Sequence, residues 1–131
     1  MRAVLLFLIL SFLLSCKKTV TKDVYYVKYE VESSTIYYGG KLNVQLNNEN
    51  GSLPLVINQR ENWTTTIGPV NKGFNASVTA TKQGWDGIAA ENHLTIHLRI
   101  HVSKNNGPFA LKQLNGTDST RATANTSYVV E

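Results

Sequence analysis

Three histidines, His93, His97 and His101, recur at every fourth position of one segment, and this spacing raises the question of a metal site. On a helix, residues four apart lie on one face, where two imidazoles can ligate the same zinc ion. The residues between them instead alternate between apolar and polar types, which predicts a β-strand. Because strand residues four apart are separated by ~13 Å, we expect polar-face imidazoles and no metal ion.

Two carboxylates, Glu30 and Glu32, occupy alternate positions of an earlier segment, so their side chains share a strand face ~7 Å apart. Paired carboxylates perform glycoside hydrolysis when they flank a cleft. The neighbouring Lys28 favours an ordinary solvated strand face instead. The sequence also has no nucleophile-elbow, phosphate-loop or zinc-protease motif. We therefore expect a protein without enzymatic activity, catalytic residues or a cofactor.

The two tryptophans are candidates for recognition. Trp85 and Asp86 stand between two glycines, a sequence typical of a turn, and an exposed Trp there can stack on a sugar ring or anchor a partner protein. The alternative is that Trp85 folds over the end of the domain. Trp63 opens a Thr-rich segment, where a core position is the simpler interpretation.

A binding surface is therefore predicted from two places in the chain. One is the turn with Trp85 and Asp86, and the other is the polar face of the strand that carries His97, Arg99 and His101. The formal charge of +4, from 13 Lys and Arg against 9 Asp and Glu, is scattered along the sequence. Proteins that bind nucleic acid concentrate positive charge on one face, so we expect no nucleic-acid partner.

The only cysteine, Cys16, follows an apolar run of twelve residues from Ala3 to Leu14. A membrane-spanning helix needs ~20 residues, whereas twelve residues fit the core of a secretory signal peptide. The sequence Leu13-Leu14-Ser15-Cys16 resembles the lipobox of bacterial lipoproteins. That resemblance implies cleavage before Cys16 and attachment of acyl chains to it, and two or more chains hold a protein stably at a membrane.

Three regions follow from this interpretation. Residues 1–15 are a signal peptide, residues 16–23 are the lipidated cysteine and a short tether, and residues 24–131 form one domain. In lipoproteins of this type, Asp after the lipidated Cys signals retention in the inner membrane. Lys17 stands there in this sequence and the tether has no acidic export tag, so we expect an outer-membrane anchor with the domain facing the periplasm.

The domain must position these side chains, and its apolar residues recur with a period of two, which marks half-buried antiparallel strands. Four segments alternate clearly: Tyr25–Glu32, Leu42–Asn47, Phe74–Thr81 and Leu94–Val102. Four weaker candidates are Leu53–Gln59, Trp63–Ile67, Phe109–Leu114 and Ala122–Val130. With turns rich in Gly, Asn and Pro between them, seven or eight short strands predict an all-β protein, an antiparallel β-sandwich.

The order of these segments resembles that of small lipoproteins of the Bacteroidetes group. The resemblance consists of the lipobox, a Tyr-rich first strand, the stretches Trp63–Pro69 and Lys72–Val78, and a final Thr123–Val130 strand. The domain of those lipoproteins is similar to the mycobacterial small membrane proteins of the MmpS type. This resemblance implies an immunoglobulin-like or transthyretin-like β-sandwich. Because the mycobacterial proteins lie beside large transporters, it also implies an accessory role without catalytic residues.

These observations predict a lipid-anchored envelope protein that binds a partner or serves as an accessory subunit of an envelope complex. The alternative is a carbohydrate-binding or adhesive surface lipoprotein, in which an exposed Trp contacts the glycan. Asp118-Ser119-Thr120 also resembles the short O-glycosylation motif of exported Bacteroidetes proteins. Ser119 is therefore the predicted modification site.

Overall fold

A computed structural model describes residues 22–34, 40–58, 61–83, 95–115 and 123–131 of the chain. These residues form eight strands: β1 (Tyr25–Ser34), β2 (Lys41–Asn48), β3 (Gly51–Asn58), β4 (Trp63–Val70), β5 (Asn75–Gln83), β6 (Thr95–Lys104), β7 (Ala110–Asn115) and β8 (Thr123–Val129). Within the same ranges no helix is long and apolar enough to cross a membrane.

The strands form two four-stranded sheets in which neighbouring strands are antiparallel. Sheet A has the strand order β4-β1-β6-β7, and sheet B has the order β3-β2-β5-β8. Although β1 and β2 follow each other in the chain, they lie in opposite sheets. The predicted all-β, antiparallel β-sandwich is confirmed, and each of the weaker segments forms a strand of its own.

The alternation in the sequence divides the side chains of each strand between the inside and the outside of the sandwich. On β6, Ile96, Leu98 and Ile100 are almost fully buried, whereas His97 and Arg99 between them are partly exposed. Both sheets supply the other buried apolar residues of the core: Tyr25, Val27, Tyr29, Val31, Leu42, Val44, Leu46, Ile57, Val70, Ala76, Val78, Ala80, Val102, Ala124 and Val130. Removal of this apolar surface from water, worth ~25 cal/mol per Å², holds the two sheets together.

Tyr29 brings a polar group into this core. Its side chain is fully buried, and its hydroxyl donates a hydrogen bond of 2.7 Å to the backbone oxygen of Asn47 on β2. Burial raises the pKa of Tyr29 well above the usual value of a phenol, because the charged phenolate is disfavoured in the apolar core. Because β1 and β2 belong to different sheets, this hydrogen bond joins sheet A to sheet B.

The strand register defines two ends of the sandwich. Tyr25, the first residue of β1, pairs with Val70 at the end of β4 and with Lys104 at the end of β6. Asn75 at the start of β5 pairs with Val129 at the end of β8. We call this the tether end, because the chain enters β1 here. The strand ends at the opposite side of the sandwich flank four segments outside the described residues: 35–39, 59–60, 84–94 and 116–122.

Asn105 fixes the entry of the chain at the tether end. Its φ of 52° and the φ of 59° at Asn106 match a type I′ turn between β6 and β7. The Oδ1 atom of Asn105 accepts a hydrogen bond of 2.9 Å from the backbone nitrogen of Val24, and its Nδ2 atom donates one of 2.9 Å to Asp23. Hydrogen bonds from Lys104 and Asn105 hold the pKa of the Asp23 carboxyl below its usual value.

Candidate functional site

The described residues include three of the side chains that the sequence predicts for binding. His97, Arg99 and His101 project from β6 on the outer face of sheet A, while the residues between them point into the core. Five other positions singled out in the sequence lie outside the described residues: Cys16, Trp85, Asp86, His93 and Ser119.

The strand register brings the histidine segment and the glutamate segment onto one surface. Three cross-strand pairs follow one another on the outer face of sheet A: Lys28 with His101, Glu30 with Arg99, and Glu32 with His97. Directly opposite residues of an antiparallel pair share a face, with Cβ atoms ~5 Å apart. Two features that are distant in sequence therefore form a single polar surface.

Glu30 is the centre of an ion-pair network on this surface. Its Oε1 atom lies 2.7 Å from Nζ of Lys28, and its Oε2 atom lies 3.1 Å from Nε2 of His101. Nη1 of Arg99 lies 3.8 Å from Glu30 and 2.9 Å from Glu32. Two carboxylates face one ammonium and one guanidinium, so the network has no net charge when His101 is neutral.

The network keeps Glu30 ionised. Burial by itself raises the pKa of Glu30, but the hydrogen bond from Lys28 and the contact with His101 outweigh this and hold the pKa below its usual value of 4.5. Nε2 of His101 is buried and lies 3.1 Å from Oε2 of Glu30, without a well-aligned hydrogen bond to a described residue. A carboxylate in this state is a poor proton donor at neutral pH.

An apolar row borders the network along β7, an edge strand of sheet A. Leu111 pairs with His101 and Leu114 pairs with Arg99, while a register shift leaves Lys112 between them as an extra residue. Because of this bulge, both leucines lie on the outer face. Leu111 is 51% exposed and Leu114 is 44% exposed.

Phe109 extends the apolar row toward the tether end. It is 40% exposed, and Nζ of Lys28 lies 5.6 Å from the centre of its ring, a cation–π distance. Since Lys28 also pairs with Glu30, the row and the network are in direct contact. We call this combined surface the sheet A face, which consists of Lys28, Glu30, Glu32, Arg99, His101, Phe109, Leu111 and Leu114.

Trp63 on β4 lies opposite the buried Val31 of β1. It is half-buried and packs against the core, as its position in the sequence predicts. With Glu32, Thr64 and Arg99 it also lines a cavity of about 240 Å³. Pockets for small molecules are usually larger, ~300–1,000 Å³, so this cavity is small for a complete ligand and has the size of a single side chain.

The histidines do not assemble a metal site within the described ranges, where no group of three or more His, Cys, Asp or Glu side chains is arranged to hold an ion. His97 and His101 share one strand, and His101 contacts Glu30. Its imidazole therefore belongs to the ion-pair network.

The apolar row is the part of this site that the sequence analysis missed. Phe109–Leu114 is one of the weaker strand candidates in the sequence, and its residues Leu111 and Leu114 are three apart and do not follow a period of two. One extra residue inside a strand-like segment is the sequence signal of a β-bulge. A bulge at that point would have placed both leucines on one face.

No protein-family model matches the chain. A search of the curated proteins likewise finds no related protein. A function must therefore be inferred from the chemistry of the surface itself.

Proposed function

We propose that this protein is a lipid-anchored, non-catalytic subunit of the bacterial cell envelope that docks a partner protein on the sheet A face. The proposal is carried by the exposed apolar row of Phe109, Leu111 and Leu114 beside a charge-balanced network. Apolar side chains that cluster on the surface of a small domain commonly mark an interaction site.

The ion-pair network favours a protein partner over a charged small molecule. Lys28 and Arg99 already pair with Glu30 and Glu32, at 2.7 Å and 2.9 Å. Burial of an unpaired charge costs several kcal/mol, and a network that is balanced within one protein avoids most of that cost when a partner covers it. Protein interfaces often combine an apolar centre with polar groups at the rim.

The cavity beside Trp63 offers an anchor point for such a partner. A side chain that enters it lies among Glu30, Glu32, Thr64 and Arg99, which line the cavity from the outer face. Interfaces commonly derive most of their affinity from a few aromatic or arginine side chains in well-packed pockets. The partner would thus contact the apolar row on β7 and the cavity near β4 at the two sides of the same sheet face.

The anchor in this proposal is an acylated Cys16 in the outer membrane, with the domain on the periplasmic side. Its support is the lipobox resemblance and Lys17 in the second position of the mature chain. Residues 17–23 reach at most ~25 Å when extended, and a strand of ten residues rises ~33 Å. A partner in the same membrane that projects a few tens of ångströms can therefore reach the sheet A face.

The test is mild cross-linking of the acylated protein in its native envelope, followed by purification. We expect one envelope protein in stoichiometric amount, and its loss when Leu111→Lys and Leu114→Lys are combined. The matched control combines Thr123→Lys and Ser127→Lys, which adds two charges to the outer face of sheet B instead. The proposal fails if the wild type captures no protein, or if both double variants retain the same partner.

A further inference from the structure

The outer faces of the two sheets differ in charge. The sheet A face concentrates ionisable side chains, whereas Lys41 is the one ionisable residue that the register of the described strands places on the outer face of sheet B. A surface with ~25–35% charged residues is the usual target in the design of soluble proteins. The outer face of sheet B therefore differs from an ordinary charged protein surface.

We call the outer face of sheet B the amide–hydroxyl face, after the side chains that dominate it. Two complete cross-strand rows of four residues define it: Val56, Asn43, Thr81 and Thr123 in one row, and Pro54, Gln45, Thr79 and Asn125 in the next. Neighbouring strands are ~4.8 Å apart and successive outward side chains of one strand are ~6.8 Å apart. Six of these eight side chains are amides or hydroxyls, and they form a regular grid across β2, β5 and β8.

Hydrogen bonds within the face hold several of these groups in place. Nε2 of Gln45 donates to Oγ of Ser52 at 2.8 Å, which leaves the amide oxygen of Gln45 as an acceptor. The hydroxyls of Thr81 and Thr123 lie 3.1 Å apart and share a hydrogen bond. Such pre-orientation reduces the entropy that a ligand must offset when it binds.

The centre of the face is a shallow depression of about 370 Å³. Asn43 and Gln45 line it from β2, Thr79 and Thr81 line it from β5, and β3 contributes an apolar wall that includes Val56. Val56 is 55% exposed, although it stands in a row of polar side chains. The depression therefore offers donors, acceptors and an apolar contact side by side.

We propose that this depression is a binding site for a neutral glycan. Amides and hydroxyls both donate and accept hydrogen bonds, which matches sugar hydroxyls, since these also do both. The apolar wall suits the C–H face of a sugar ring through close dispersion contact. A charged ligand would lose hydration here without gaining a counter-charge, so the chemistry of the site selects for a neutral one.

This site is independent of the docking function proposed for the sheet A face. The two surfaces lie on opposite sides of the sandwich, so a partner protein and a glycan can be bound at the same time. The site also differs from the sugar-stacking turn that the sequence predicts at Trp85, because it depends on amides and hydroxyls of β2 and β5. The failure of one proposal leaves the other unaffected.

The test is affinity electrophoresis of the full-length protein in mild detergent, through gels that contain one polysaccharide each. The panel holds three neutral polymers, a β-glucan, a mannan and a xylan, and the anionic polygalacturonate. We expect retardation by at least one neutral polymer and none by polygalacturonate. Thr79→Val, which replaces a hydroxyl of the depression with a methyl group, should weaken binding about fivefold or more, the effect of one lost hydrogen bond.

Two variants separate binding from folding. Gln45→Ala should weaken retardation as Thr79→Val does, while Thr66→Val, the same change at an exposed position of β4 in sheet A, should leave it unchanged. The inference is overturned if no neutral polymer retards the wild type or if polygalacturonate retards it most. It is also overturned if Thr79→Val and Gln45→Ala both bind as the wild type does.

Discussion

Leu111 and Leu114 lie three residues apart on β7, yet both project from the outer face of sheet A, because Lys112 is an extra residue in the pairing with β6. In a regular strand, residues three apart point to opposite faces. The bulge therefore places two leucines beside each other, next to the ion-pair network around Glu30. The proposed docking function depends on this arrangement.

The charge of Glu30 should stabilise the fold in a pH-dependent way. We expect Glu30→Gln to lower the free energy of unfolding by about 1 kcal/mol at pH 7, the value of a favourable exposed ion-pair network. The pKa of Glu30 is lower in the folded state than its usual 4.5. The contribution is therefore fully present above that value and is lost as the pH falls through the folded-state pKa.

Urea unfolding of the wild type and the variant at pH 7 and at pH 3 measures this effect. The difference in stability should shrink at the lower pH. Glu49→Gln is the matched control, because Glu49 is exposed and such surface changes normally stay within ~0.5 kcal/mol. An equal loss at both pH values would show that Glu30 stabilises the protein through packing and not through charge.

The contribution of the Tyr29 hydrogen bond between the sheets to stability can be measured by removal of the Tyr29 hydroxyl. Tyr29→Phe keeps the buried ring but leaves the Asn47 carbonyl without its 2.7 Å hydrogen-bond donor. We therefore expect the free energy of unfolding to fall by about 1 kcal/mol. Tyr26→Phe, on the outer face of the same strand, is the control and should change stability by less than ~0.5 kcal/mol. Equal effects of the two substitutions in thermal unfolding would argue against a role for this bond.

The sequence predicted the fold well because most strands have one clear apolar face. The alternation from Ile96 to Val102 indicates which side chains are buried without any knowledge of the neighbouring strands. The pairing of Glu30 with Arg99 could not be predicted in this way, because strand order and register are set by long-range contacts. The sequence therefore predicts the individual strands more completely than the surface that the strands form together.

The turn at Asn105 should anchor the start of the domain. Asn105→Ala and Asn106→Ala each place alanine at a positive φ, which costs ~1–2 kcal/mol. Asn105→Ala also removes hydrogen bonds to Val24 and Asp23, so we expect it to destabilise the protein by about 1 kcal/mol more than Asn106→Ala. Chemical denaturation of both variants gives the difference in their free energies of unfolding directly. Equal values would mean that the side chain of Asn105 does not stabilise the segment by which the chain enters β1.

Cys16 should determine where the protein is found in the cell. Cys16→Ser removes the thiol that carries the acyl chains in the proposed lipoprotein, and acyl chains are what hold such a protein at a membrane. We expect the variant to leave the membrane fraction and to lose incorporation of labelled palmitate. Thr19→Ala in the tether is the control. Continued labelling and membrane association of Cys16→Ser would contradict a lipid anchor at this residue.

The sequence predicts only part of each of the two surfaces on which the proposals rest. Asn43 and Gln45 alternate with buried residues of β2 and are identifiable as outward-facing, but their meeting with Thr79 and Thr81 depends on the pairing of β2 with β5. The shared face of Leu111 and Leu114 was not predicted, because a one-residue bulge interrupts the period of two in β7. For the outer face of sheet B the missing information was which strands are neighbours, whereas for the leucines it was the position of the bulge.

The most direct test of the docking proposal is site-specific photo-cross-linking in the native envelope. A photoreactive amino acid replaces Leu111 on the sheet A face in one strain and Ser127 on the outer face of sheet B in another. We predict one protein adduct of defined mass from position 111, abolished by Leu114→Lys, and no protein adduct from position 127. The same adducts from both positions, or none from position 111, would contradict the proposal that the sheet A face docks a partner.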